Sequence, residues 1–115
     1  MPRFALLCHD SPRGWHCDFF LERGELLRTW ALPEVPQMDA TLSAELLPDH
    51  RLIYLDYEGP ISGNRGTVTR WDRGEYEVAV FQNDRVRVRL EGEKLVGDVE
   101  LVRVDSERWT FTWTE

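Results

Sequence analysis

The sequence predicts an all-β fold, a small antiparallel β-barrel of about eight or nine short strands with little helix. Apolar and polar residues alternate with a period of two in several segments, as they do on strands that bury one face. Gly, Pro, Asn and Asp residues separate these segments roughly every 8–12 residues. Many short strands at this spacing are typical of a barrel or a sandwich.

The clearest alternation lies over residues 15–22, where the apolar positions are Trp15, Cys17, Phe19 and Leu21. Residues 85–90 and 108–114 alternate in the same way. Apolar runs bounded by turn residues predict the remaining strands over 3–9, 25–32, 41–47, 51–57, 66–71, 75–81 and 95–104. Residues 39–47 also fit one face of a helix, but a strand is the preferred interpretation.

We expect a single domain spanning residues 1–115, because a chain of this length can bury one core but not two. No apolar run approaches the roughly 18 residues of a membrane span, and residues 1–9 do not resemble a signal peptide. A cytoplasmic protein without membrane contact is therefore predicted. In that reducing compartment Cys8 and Cys17 would be thiols or metal ligands.

The net charge of −7 argues against non-specific binding along a nucleic-acid backbone, which needs a basic surface. A small basic pocket for one phosphate is compatible with that charge. The stripe Arg85, Arg87 and Arg89 is one candidate for holding an anion. The alternative is a solvated strand face whose charge is offset by nearby acidic residues, namely Glu91, Glu93, Glu100 and Glu107.

The leading candidate site consists of His9, His16 and Asp18. His16 and Asp18 are two residues apart on a predicted strand and therefore project from the same side. A turn after Asp10 can bring His9 beside them. Two imidazoles and a carboxylate suit Mn²⁺, Zn²⁺ or Fe²⁺ with open positions for water or substrate. The alternative is a set of surface polar residues beside a turn.

The cysteines allow a rival hypothesis, a structural zinc site that uses the neighbouring pairs Cys8–His9 and His16–Cys17. Adjacent strand residues point to opposite faces, however, so His16 and Cys17 do not easily share one ion. Cys17 also lies on the aromatic face, where a free cysteine acts as a small hydrophobe.

His50 and Tyr54 form a second candidate pair, because residues four apart on a predicted strand share a face. A histidine beside a phenol can bind or protonate a phosphate oxygen. The alternative is a histidine near a strand start and a packed tyrosine.

Several strings of residues resemble, in the same order, the 3′-phosphoesterase domain of bacterial DNA ligase D. Residues 16–22, His-Cys-Asp-Phe-Phe-Leu-Glu, are similar to that family's H-Y-D-F-R-L-E. Residues 27–33 resemble its L-K-S-W-A-V-P, and residues 49–59 resemble its D-H-P-L-x-Y-x-x-F-E-G. Shorter matches continue to about residue 104, at 66–68, 71–74, 90–97 and 101–103.

This resemblance implies a small β-barrel that binds Mn²⁺, with Zn²⁺ as the alternative, through two His and one Asp. Such domains trim 3′ ends in DNA repair by non-homologous end joining, removing a 3′-terminal nucleoside and then the 3′-phosphate. The implied partners are a nucleic-acid 3′ end and a DNA-repair protein. The resemblance places His9, His16 and Asp18 at the metal positions. It places His50 and Tyr54 at catalytic positions near the phosphate.

The chain departs from the family at three cations that would neutralise a phosphate. Phe20, Glu34 and Leu42 stand where the family has Arg, Lys and Arg. Charge-assisted contacts to phosphate are strong, so these losses predict weakened activity. The residues that could compensate as phosphate ligands are Arg13, Arg51 and Arg65.

Two functions follow from the sequence. The first is a divergent, metal-dependent 3′-phosphoesterase in which His50 and Tyr54 assist the chemistry. The second is a catalytically degenerate barrel that serves as a metal-, nucleic-acid- or protein-binding module.

Overall fold

A computed structural model describes residues 1–12 and 14–115, and regular structure in this part of the chain is almost entirely β-strand. The strands are β1 Arg3–Ser11, β2 Gly14–Arg23, β3 Leu26–Leu32, β4 Thr41–Arg51, β5 Gly59–Pro60, β6 Thr67–Phe81, β7 Arg85–Gly92, β8 Val96–Arg103 and β9 Arg108–Thr114. A 3₁₀ helix, Leu52–Leu55, lies between β4 and β5. None of the helical structure in these residues is long and apolar enough to span a membrane.

The strands form a closed ring in the order β1-β2-β3-β4-β9-β8-β7-β6, and pairing of β6 with β1 closes it. The short strand β5 pairs with β6. Neighbouring strands run antiparallel throughout the ring. The prediction of an all-β, antiparallel barrel is therefore confirmed.

The interior of the barrel is filled by the apolar faces that the period-two pattern predicts. Phe19 and Phe111 are fully buried and meet edge to face, with ring centroids 5.2 Å apart. Trp30 and Trp109 do the same at 5.5 Å. Large aromatic side chains remove much apolar area from water, so these rings contribute strongly to stability.

A second apolar cluster lies on the outer face of the barrel. Its buried members, here called the outer cluster, are Ala5, Leu7, Phe20, Leu27, Leu55 and Val68. Leu52, Tyr54, Tyr57 and Ile61 pack against it, so the segment 52–61 covers this part of the sheet. Phe20 is only 1% exposed, although the alternation over 15–22 assigns it to the polar face.

The predicted strand over residues 51–57 is wrong. Residues 52–55 form a 3₁₀ helix, and only Leu55 of that helix is fully buried. Its apolar residues are consecutive rather than alternating, which allows a short helical turn to pack onto the outer cluster. The strand preferred over 39–47 is confirmed as the first part of β4.

The predicted separation between strands 66–71 and 75–81 is also wrong, because β6 continues through Asp72. The Asp72 side chain is 2% exposed and accepts hydrogen bonds from the backbone N–H groups of Glu93, Lys94 and Leu95 at 3.0, 3.1 and 2.7 Å. The carboxylate therefore fixes the connection between β7 and β8 instead of forming a turn in its own strand.

The prediction that Cys8 and Cys17 are free thiols or metal ligands is wrong. The two residues are directly opposite in the β1–β2 register and form a disulfide. Both side chains belong to the interior cluster, whereas His9 and His16 stand on the outer face. The cysteines and histidines therefore do not share a zinc ion.

The Arg stripe on β7 is paired with acidic residues of β8. Arg85 contacts Glu100 at 2.7 Å, while Arg87 and Arg89 both contact Asp98 at 3.0 Å. The stripe is thus a solvated, charge-balanced strand face, and Asp98 is the partner that the sequence did not indicate.

Candidate functional site

His9 and His16 stand side by side on the outer face of the barrel, because β1 and β2 pair with these two residues directly opposite each other. Their ring centroids are 5.2 Å apart with an interplanar angle of 67°. Asp18 lies two residues further along β2 and therefore projects from the same face. The three predicted residues therefore share one outer face, with His16 beside both His9 and Asp18.

His16 and Asp18 are close enough to interact electrostatically. His16 Nε2 lies 3.2 Å from Asp18 Oδ1. The nearby Asp18 carboxylate raises the pKa of His16, Glu45 adds to this effect, and partial burial of the ring opposes it. Asp18 Oδ1 is buried, and apart from this contact with His16 Nε2 it has no hydrogen-bond partner among the described residues. A buried oxygen of this kind calls for a further ligand.

His9 is held by the loop between β5 and β6. Its Nε2 lies 2.6 Å from the carbonyl oxygen of Arg65, and because a carbonyl only accepts, Nε2–H is the donor. In the neutral ring Nδ1 then carries the free lone pair. Gly66 allows the loop to approach so closely, because its φ is +95° and a Cβ there would overlap the Asp10 backbone.

His50 and Tyr54 also lie close together, although they do not share one strand as predicted. His50 is near the end of β4 and Tyr54 is in the 3₁₀ helix, with ring centroids 5.9 Å apart. The His50 Nδ1–H donates to the Pro48 carbonyl oxygen at 2.9 Å, which leaves Nε2 without its proton in the neutral ring.

Phe20 lies between Asp18 and His50 and so links the two sets of predicted site residues. It lies two residues beyond Asp18 on the same face of β2, and its ring centroid is 5.4 Å from that of His50. The outer face therefore carries a row of side chains in the order His9, His16, Asp18, Phe20, His50 and Tyr54.

The candidate phosphate ligands differ in placement. Arg65 lines a cleft with His9 and His16, and its guanidinium is held by Ser62 through contacts of 2.7 and 3.3 Å. The Arg51 guanidinium lies 5.9 Å from the centre of the Tyr54 ring. Arg13 lies outside the described residues.

Two of the three residues that stand where the resemblance implies a cation are apolar and buried. Phe20 is buried in the outer cluster, and Leu42 belongs to the barrel interior. Glu34 is exposed in the connection between β3 and β4.

Glu45 is a site residue that the sequence did not indicate. It is aligned with Asp18 across the sheet, because Asp18 pairs with Ala31 on β3 and Ala31 pairs with Glu45 on β4. The small side chain of Ala31 separates the two carboxylates. Placing Glu45 at the site requires the register of β2, β3 and β4, which no local sequence pattern reveals.

A divalent metal fits part of this arrangement. Metal–nitrogen and metal–oxygen bonds of about 2.0–2.2 Å place neighbouring ligands of one ion about 3.0–3.4 Å apart. The 3.2 Å between His16 Nε2 and Asp18 Oδ1 lies in that range. Among residues 1–12 and 14–115, however, no three His, Cys, Asp or Glu side chains converge as a ready ligand set. His9 lies beside His16 but does not complete a set of three ligands with His16 and Asp18.

The fold and this site define a small β-barrel domain with a His and Asp cluster on its outer face. The family model for the DNA ligase D 3′-phosphoesterase domain matches residues 8–103, and the chain belongs to this family. The resemblance seen in the sequence is therefore confirmed.

Curated relatives include much longer proteins. The multifunctional non-homologous end joining protein LigD of Mycobacterium bovis is 34% identical over 115 aligned residues, which cover 92% of this chain and 15% of that protein. The protein of the same name from Pseudomonas aeruginosa is 34% identical over 121 aligned residues, covering 96% of this chain and 14% of that protein. The chain thus spans about 15% of the length of the Mycobacterium bovis relative.

Proposed function

We propose that this chain is a divergent, metal-dependent 3′-phosphoesterase that processes nucleic-acid 3′ ends in DNA repair, beside a DNA-repair partner protein. The observation that carries the proposal is the position of His9, His16 and Asp18 on one outer face, where Asp18 Oδ1 is buried 3.2 Å from His16 Nε2 and has no further polar partner among the described residues. Membership of the DNA ligase D 3′-phosphoesterase family supports the same substrate class.

His16 and Asp18 would hold the metal, with His9 as the third ligand. Mn²⁺ is the proposed ion and Zn²⁺ the alternative, since both accept imidazole and carboxylate ligands. When bound, the ion supplies positive charge against a phosphoryl oxygen.

His50 transfers a proton at the phosphate, and Tyr54 donates a hydrogen bond there. Because His50 Nδ1–H is held by Pro48, its Nε2 exchanges the proton. In the hydrolysis a water oxygen forms the new bond to phosphorus and the bond to the 3′ oxygen breaks. A proton from that water ends on the 3′ oxygen, with His50 Nε2 as carrier. The Tyr54 hydroxyl donates a hydrogen bond to a phosphoryl oxygen.

Positive charge at the phosphate is reduced in this chain, so the expected rate is low. Arg65 lines the cleft with His9 and His16, and the Arg51 guanidinium lies 5.9 Å from the centre of the Tyr54 ring. Loss of one preorganised charged or hydrogen-bonding group costs about 10²–10³-fold in rate. The family cation replaced by Phe20 is expected to cost a similar amount.

The burial of Phe20 favours a second candidate function. An apolar residue, 1% exposed, occupies the middle of the row between the metal ligands and His50. A barrel changed in this way would still bind a metal, a nucleic acid or a protein without turning over a phosphoester.

The test is phosphate release from a 3′-phosphorylated primer–template with Mn²⁺, using wild type, His16→Ala and Asp18→Asn. Arg85→Ala, which alters the charged face of β7, is the matched control. We expect release by wild type and by the control, and a loss of at least about a hundredfold in both site variants. Equal release by all four proteins, or none by wild type, would reject the enzymatic proposal. Stabilisation of the non-releasing protein by Mn²⁺, lost in Asp18→Asn, would then support the binding module.

A further inference from the structure

Trp15 is a large aromatic side chain that belongs to neither apolar cluster of the described residues. It is 47% exposed at the start of β2. The other four tryptophans have partners: Trp30 and Trp109 meet each other, Trp71 lies under Lys94, and Trp113 donates to Val96. Within residues 1–12 and 14–115, the Trp15 indole has no ring contact, cation–π contact or side-chain hydrogen bond. Its exposed surface is therefore open to a ligand.

The position of Trp15 suggests what it contacts. It lines a cleft of about 720 Å³ together with His9, His16, Asn64 and Arg65. This volume lies within the range of small-molecule sites. The cleft extends round the end of the β1–β2 hairpin, since residues from both faces of β2 line it. One wall thus offers a flat indole, and another offers two imidazoles and a guanidinium.

We infer that Trp15 is a stacking platform for the terminal nucleobase of the 3′ end whose phosphate lies at His9, His16 and Asp18. This inference rests on the proposed function and names how the substrate is held. A planar apolar ring beside the Arg65 guanidinium complements a ligand that joins a planar ring to an anion, which is the chemistry of a nucleotide. Every base has a π face, so a single indole binds 3′ ends with little sequence preference.

Stacking requires one uncovered face on the base. A base inside a strand is covered on both faces, whereas a 3′-terminal base, paired or unpaired, exposes one. The platform therefore binds chain ends rather than internal bases. It contributes to binding rather than to bond breaking, so its loss raises KM more than it lowers kcat.

The experiment measures binding of a short 3′-phosphorylated oligothymidylate by fluorescence anisotropy with Mn²⁺ present, read before the slow turnover releases phosphate. A second oligomer carries an abasic sugar at its 3′-phosphorylated terminus. The proteins are wild type, Trp15→Ala, Trp15→Phe and Val78→Ala. Val78 is a matched control because it is 45% exposed on β6, outside the cleft.

We expect Trp15→Ala to weaken binding of the intact oligomer about 5- to 150-fold, which is the usual value of one stacked base. Trp15→Phe should retain most of the affinity and Val78→Ala all of it. The abasic oligomer should bind wild type and Trp15→Ala equally. The inference is overturned if Trp15→Ala binds the intact oligomer as tightly as wild type does. It is also overturned if Trp15→Ala loses as much affinity for the abasic oligomer as for the intact one, or if wild type binds neither. The two proposals can fail separately. If binding depends on Trp15 but the Mn²⁺-loaded protein does not hydrolyse the oligomer, the stacking platform is upheld and the phosphoesterase activity is rejected.

Discussion

Replacing Phe20 by alanine would remove the ring that joins the outer cluster to His50. The residue is 1% exposed, and a buried Phe→Ala change costs about 3–5 kcal/mol. The outer cluster is small and covered by one segment, which can partly collapse onto the gap, so we expect about 3 kcal/mol. For a domain of this size that lowers the melting temperature by about 12 °C.

The functional part of this prediction uses a milder pair of variants. Phe20→Leu and Phe19→Leu change neighbouring, fully buried residues on opposite faces of β2. Each should cost about 1 kcal/mol, since the volume change is modest. Only Phe20→Leu releases the His50 ring, and misplacement of a catalytic group by about 1 Å costs up to about a hundredfold.

The assays are thermal unfolding followed by circular dichroism and steady-state phosphate release. We expect similar melting temperatures for the two leucine variants, with kcat reduced at least about tenfold in Phe20→Leu alone. Equal kcat values would show that Phe20 does not position His50. A melting temperature of Phe20→Ala within about 2 °C of wild type would show that the outer cluster is not packed as described.

Two further predictions concern stability. The disulfide between Cys8 and Cys17 closes a short loop, so reduction should cost about 2–3 kcal/mol and lower the melting temperature by about 10 °C; an identical melting curve in reductant would contradict the pairing. Asp98 has a pKa lowered by hydrogen bonding to Arg87, with Arg89 adding to the effect. A lowered folded-state pKa gives stability that is present above the unfolded pKa and lost as pH falls through the folded pKa. Asp98→Asn should therefore lose less stability than wild type on acidification, and denaturant titrations with parallel acid slopes for both proteins would refute this.

The residue pattern was enough to predict the class of fold and much of the core. Alternation with a period of two is a local property of the chain, so it correctly assigns Cys17 and Phe19 to the interior of the barrel and His16 and Asp18 to the outer face. The spacing of His50 and Tyr54 made them a second candidate pair with a structural alternative, and the family resemblance then placed them at catalytic positions.

Other features depend on which residues of distant segments lie opposite each other. The turn between β1 and β2 sets the register that pairs Cys8 with Cys17 and thereby overrides the expectation of free thiols. Pairing between segments further apart in the sequence aligns Glu45 with Asp18 and brings the Arg65 carbonyl oxygen to His9. Alternation tells which face a side chain occupies but not which partner it meets, because partners are chosen by strand pairing across the whole barrel.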